Sequence, residues 1–85
     1  MPHFYLHLHN RHVDVSDEEG IDLPDLAAAC HQAIEGIRGF IGHEAAAGKI
    51  DFHGHVDVAD DNGATLATVR FVDAFQILGL EETTH

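Results

Sequence analysis

The chain reads as a small α+β protein, a two-layer sandwich with the element order β-β-α-β-β, in which one long helix covers one face of a four-stranded sheet and a short helix or turn follows at the C-terminal end. Three observations predict it. Apolar and polar residues alternate in both terminal thirds, the middle third changes to helical spacing, and turn-forming residues separate the segments. Eighty-five residues leave room for a single core, so one domain is expected over residues 1–80, with residues 81–85 as a flexible tail.

At the start, Phe4, Leu6 and Leu8 alternate with His3, Tyr5, His7 and His9, the period of a strand buried on one side. Asn10-Arg11 marks a short turn, after which Val13 and Val15 alternate with His12 and Asp14 to complete a first hairpin. Ser16-Asp17-Glu18-Glu19-Gly20 forms an acidic loop.

From Leu23 the period lengthens. Leu26, Cys30, Ala33, Ile37, Phe40 and Ile41 share one helical stripe, with Pro24-Asp25 at its start and Gly48 at its stop. Gly36, Gly39 and Gly42 interrupt an otherwise good helix former, each at a cost of up to about 1 kcal/mol relative to Ala. They fall away from the apolar stripe. Two readings stay open: a tolerated weak or kinked helix, or a flat face against which another chain packs.

Ile50, Phe52, Val56 and Val58 then alternate with Asp51, His53, His55 and Asp57 in a third strand. Asp60-Asp61-Asn62-Gly63 supplies hairpin-turn chemistry, and Leu66 to Phe71 supply the fourth strand. Phe71, Phe75 and Leu78 suit the short closing element.

Fifteen acidic residues against four basic ones give a formal net charge of −11. Such a surface repels a phosphate backbone, so nucleic acid is not expected as a direct partner, and the acidic surface suits solubility or a basic protein partner. One cysteine, Cys30, excludes an internal disulfide framework and a thiolate-built zinc site. No apolar run is long enough to cross a bilayer, and no secretion signal is evident, so the expected setting is the cytoplasm, away from membranes.

Four histidines fall within residues 3–12, and His53 and His55 follow later. The apolar positions of both strands must meet the helix, which sends His7, His9, His53 and His55 to the opposite sheet face, near Tyr5, His12, Asp14 and Asp57. If the first and third strands are neighbours, these four imidazoles are candidate ligands for Zn²⁺ or Ni²⁺. The favoured account is a solvated or dimer-buried polar face with at most incidental metal affinity, because the sequence fixes no carboxylate to orient the rings.

Catalytic patterns are absent. Ser16 lacks a nucleophile-elbow context, Cys30 falls on the apolar stripe, and the acidic loop lacks calcium-loop spacing. The helical glycines lack the strand and lysine of a phosphate loop. No enzyme is expected, and no cofactor beyond the candidate metal.

MPHFYLHLHN, DEEGIDLPDLAAAC and AAAGKIDFHGHVDVADDNGATLATVRF together resemble a family of small proteobacterial proteins with a domain of unknown function. Its members resemble M-P-x-[FY]-[FY]-[FL]-H at the start and D-x-E-G-x-x-L-P-D-L before the helix. Pro2, Tyr5, His7, Asp17, Glu19, Gly20, Leu23, Pro24, Asp25, Leu26, Asp60 and Gly63 match. The resemblance implies a fold and no activity. Of the strand histidines only His7 matches its pattern, and the three helical glycines depart from it. The layout is also distantly similar to HicB-type antitoxins, which neutralise a small basic toxin.

These observations favour a non-enzymatic interaction or regulatory domain. A HicB-like antitoxin with a basic partner and a histidine-based metal-binding module are the alternatives. A bare sheet face and a small core also lead us to expect a homodimer.

Overall fold

A computed structural model describes residues 1–79, so the expected tail at 81–85 lies outside the described residues. The order is β1 (His3–Asn10), β2 (Asp14–Val15), β3 (Ile21–Asp22), α1 (Leu26–Ala46), β4 (Gly54–Ala59) and β5 (Thr65–Arg70), closed by a 3₁₀ turn over Phe71–Ala74. The fold is the expected α+β sandwich with an all-antiparallel sheet, but with five strands rather than four. β3, two residues long, is too short to leave a period in the sequence.

The main path of the sheet is β2-β1-β4-β5, and β3 also pairs with β1. β3 lies along the start of β1, with His3 opposite Asp22, and β2 lies along its end, with His9 opposite Asp14. The loop between them passes the middle of the same edge. There the Asp17 carboxylate accepts from the Leu6 N–H at 3.1 Å, standing in for the strand that is missing at that point. On the other side β1 pairs with β4 over six residues, Tyr5–Asn10 against Gly54–Ala59.

Asp25 caps α1 by accepting from the Ala28 N–H at 2.9 Å, and Gly48, at φ 92°, ends it as the sequence leads one to expect. Pro24 therefore stands before the cap, outside the first turn. The core joins Phe4, Val56, Val58 and Val69 of the sheet to Ala29, Ala33, Ile37 and Ile41 of the helix, with Phe71 and Ala74 closing one end.

The helical stripe differs from expectation. Leu26 is 38 % exposed and Cys30 only half-buried, while Ala29 is fully buried. The line closest to the sheet runs at i, i+4 through 29, 33, 37 and 41, and its first half is alanine. Small side chains let the backbone approach the sheet, so the larger Cys30 and Phe40 flank the contact instead of centring it. The three glycines do not break α1, which is continuous through them. An added Cβ at Gly36, Gly39 or Gly42 would meet nothing within 4 Å.

The third predicted strand begins later than its alternation suggests. Asp51 accepts from the backbone N–H of His53 at 3.0 Å, a local turn that competes with strand pairing, and Ile50 is left 62 % exposed. Pairing starts at Gly54, where φ is 151° and an added Cβ would lie 2.6 Å from both the His9 carbonyl oxygen and the Phe71 ring. Only glycine fits there.

Candidate functional site

Helix α1 covers one face of the sheet, so the residues of β1, β4 and β5 that point away from it form a second face, uncovered among the described residues. Register sets its rows. His9 stands opposite His55, which stands opposite Arg70, and His7 stands opposite Asp57, which stands opposite Thr68. Along β1 the rings of His3 and Tyr5 meet edge to face at 5.1 Å, and those of Tyr5 and His7 stack at 6.3 Å.

The four histidines singled out by sequence do not form one group. His7 turns to the β1 edge, where its Nδ1 accepts from the Asp17 N–H at 3.0 Å. His53 precedes β4, is exposed, and its Nδ1 sits between the Asp51 carboxylate at 2.7 Å and the Arg11 guanidinium. His9 and His55 alone come together, with ring centroids 5.0 Å apart. The third member of their cluster is Asp57. One ligand atom from each of the three lies within 4.8 Å of the others.

Asp57 Oδ2 lies 3.4 Å from His9 Nε2 and 3.6 Å from His55 Nε2. Its other oxygen accepts from the Thr68 hydroxyl at 2.8 Å. On the far side of His9, Nδ1 lies 2.8 Å from Asp14 Oδ1 across the β1–β2 pair. Asp57 was legible as a neighbour of His55 at strand spacing, since residues two apart share a sheet face. Its place as a member of the cluster follows from the β1–β4 register.

The acidic loop has a different task. Asp17 accepts from Leu6 N–H with one oxygen and from Gly20 N–H at 3.0 Å with the other. Partial burial alone would push its carboxyl up, but these backbone hydrogen bonds, with a further one from Glu19 and the nearby His7, hold it below the ordinary Asp range. The His3 imidazole is raised above its usual value, chiefly by its hydrogen bond to Asp22 and then by one to the Glu19 carbonyl. Together these contacts fasten the segment from Asp17 to Asp22 against β1.

Away from this face, two concavities among the described residues lie beside α1. One, about 20 Å³, is lined by Asn10, His12, Phe40, Glu44, Lys49, Asp51, His53 and Phe71, and has space for about one water. The larger, about 490 Å³, is an open groove lined by Ile41, Ile50, Phe52, Phe75, Gln76, Ile77 and Leu78. It holds no titratable side chain. Among the described residues, no helix is long and apolar enough to cross a membrane.

No curated protein and no solved structure matches the chain. A family model, described as a domain of unknown function, DUF6894, matches residues 3–72, a span from the first strand to the closing turn. With the sheet, the capped helix and both hairpins inside that match, the chain belongs to the DUF6894 family.

Proposed function

We propose that the chain is a non-catalytic interaction domain that presents its uncovered sheet face and the free edge of β5 to a basic protein partner. The observation that carries this reading is a sheet covered on one side only, ending in a six-residue strand that has no neighbour beyond it among the described residues. An unpaired edge offers a row of backbone donors and acceptors to an incoming strand. The net charge of −11 gives the sign of the partner. A HicB-like antitoxin with a small basic toxin is one instance of this reading, and a cytoplasmic setting would suit it.

Site-specific photo-crosslinking tests it. A photoreactive side chain at Leu66, which is exposed on β5, is compared with one at Ala45, exposed on α1. A single adduct with one small basic protein at position 66 and none at 45 is expected in the native host. Equal labelling at both positions, or no discrete adduct at 66, would refute the reading.

A further inference from the structure

We propose that His9, His55 and Asp57 form a binding site for one divalent transition-metal ion of the Zn²⁺ class. The site does not depend on the interaction role proposed above. Its basis is the way three lone-pair-bearing atoms converge across the β1–β4 pair.

A tetrahedral Zn²⁺ with bonds of about 2.0–2.1 Å holds its ligand atoms about 3.4 Å apart. Asp57 Oδ2 lies 3.4 Å from His9 Nε2 and 3.6 Å from His55 Nε2. Those separations are longer than ordinary N–H···O hydrogen bonds, which run at about 2.7–3.2 Å. They match atoms that share one ion better than atoms that bond each other. The positions are fixed by backbone register, His9 opposite His55 and Asp57 two residues along the same face, so no loop has to close to assemble the set.

Two of the three ligands are also oriented from behind. Asp14 Oδ1 lies 2.8 Å from His9 Nδ1 and favours the tautomer in which that nitrogen donates to it, the one that leaves the Nε2 lone pair facing Asp57 and His55. Thr68 donates to Asp57 Oδ1 and leaves Oδ2 for the ion. A carboxylate behind a ligating imidazole fixes its tautomer and raises its basicity. Asp14 is the orienting group that the sequence by itself could not assign.

Two imidazole nitrogens and one carboxylate oxygen suit Zn²⁺, Ni²⁺ and related ions over Mg²⁺ or Ca²⁺, which take mainly oxygen. The three donors are partly exposed, so the remaining coordination positions open to solvent.

The full chain, freed of metal with a chelator, is titrated with Zn²⁺, Ni²⁺, Mg²⁺ and Ca²⁺. Calorimetry gives stoichiometry, and long-range ¹H–¹⁵N spectra resolve the imidazoles of the wild-type chain. One Zn²⁺ or Ni²⁺ per chain is expected, with His9 and His55 perturbed first, and no saturable binding of Mg²⁺ or Ca²⁺. His55→Gln and Asp57→Asn should each abolish saturable binding, and Asp14→Asn should weaken it by about 10–100-fold. A combined His12→Gln, His31→Gln, His43→Gln variant should leave it unchanged. Zn²⁺ that perturbs all the histidines alike would overturn the proposal, as would affinity that falls in the control variant as much as in His55→Gln. The spectra use wild-type protein, so the test stands even where a β1 variant fails to fold.

Discussion

Replacing the three helical glycines by alanine should stabilise the domain. Gly36, Gly39 and Gly42 lie inside a continuous α1, and an added Cβ at each meets no atom within 4 Å. The substitution therefore brings no clash, and the gain comes from restricting the unfolded chain and from better helix propensity. Each change is worth about 0.5–1 kcal/mol, and the sites face solvent without sharing a partner, so the triple variant should gain roughly 1.5–3 kcal/mol. In a domain of this size 1 kcal/mol moves Tm by about 4–8 °C, which puts the triple variant on the order of 10 °C above wild type. Thermal melts followed by far-UV circular dichroism measure it, with light scattering on the same samples. An unchanged or lower Tm with a monomer mass would mean that α1 is not a regular helix through residues 36–42. A lower Tm together with a loss of dimer mass would mean that the bare glycine face is occupied by a second chain, where the methyl groups clash.

The same substitution elsewhere should act in reverse. Gly54→Ala places a Cβ 2.6 Å from the His9 carbonyl oxygen at a φ of 151°, so urea unfolding should show a loss of at least about 1 kcal/mol, and a neutral result would refute the close approach. Ile37 is fully buried, and Ile37→Asp puts an unpaired carboxylate in the core; the expected outcome is loss of the cooperative melt, which a folded variant would contradict. Asp17 has a depressed carboxyl in the folded state, so its stabilisation is complete above the ordinary Asp value of 3.8 and is lost as pH falls through the lower folded value. Wild type should therefore lose Tm more steeply than Asp17→Asn as pH falls below about 4, and parallel curves would remove Asp17 as a cause.

The sequence carried the layers because their signals are periodic. Phe4, Leu6 and Leu8 on β1, and Val56 and Val58 on β4, kept the faces that their alternation assigned. What it could not carry were contacts set by single atoms. Nothing periodic marks β3, since two residues complete no alternation, and Leu26 outranks Ala29 on hydrophobicity although closest approach favours the smaller side chain. The Ile50–Phe52 stretch reads as strand until the Asp51 side chain takes the His53 N–H. For the histidines the sequence supplied the face and left the partners open. His53 is on the wrong side of Gly54 to reach His9, and Asp57 gains its place only through the register that sets His7 opposite it.

The edge of β1 explains why two histidines only two residues apart have such different surroundings. His7 and His9 point to the same face, yet β2 reaches only as far as Leu8 and His9. Beyond that point the loop takes over, and its Asp17 uses the N–H beside His7 and the carboxylate beside Leu6 to hold the chain. His7 is thereby engaged in holding the loop, as is Gly20 through its N–H, while Asp25 further along caps α1. These are among the positions that carried the family resemblance, and each has a structural task. His9, by contrast, meets a strand residue, Asp14, whose carboxylate lies behind its ring rather than in front of it. The short β2 strand therefore does two things at once: its length releases the middle of β1 to the Asp17 loop, and its first residue, Asp14, leaves Nε2 of His9 directed at Asp57 and His55. A change that lengthened β2 by two residues would displace Asp17 from Leu6 before it touched His9. Loop attachment and the His9 cluster are thus separable by mutation, although they share one strand.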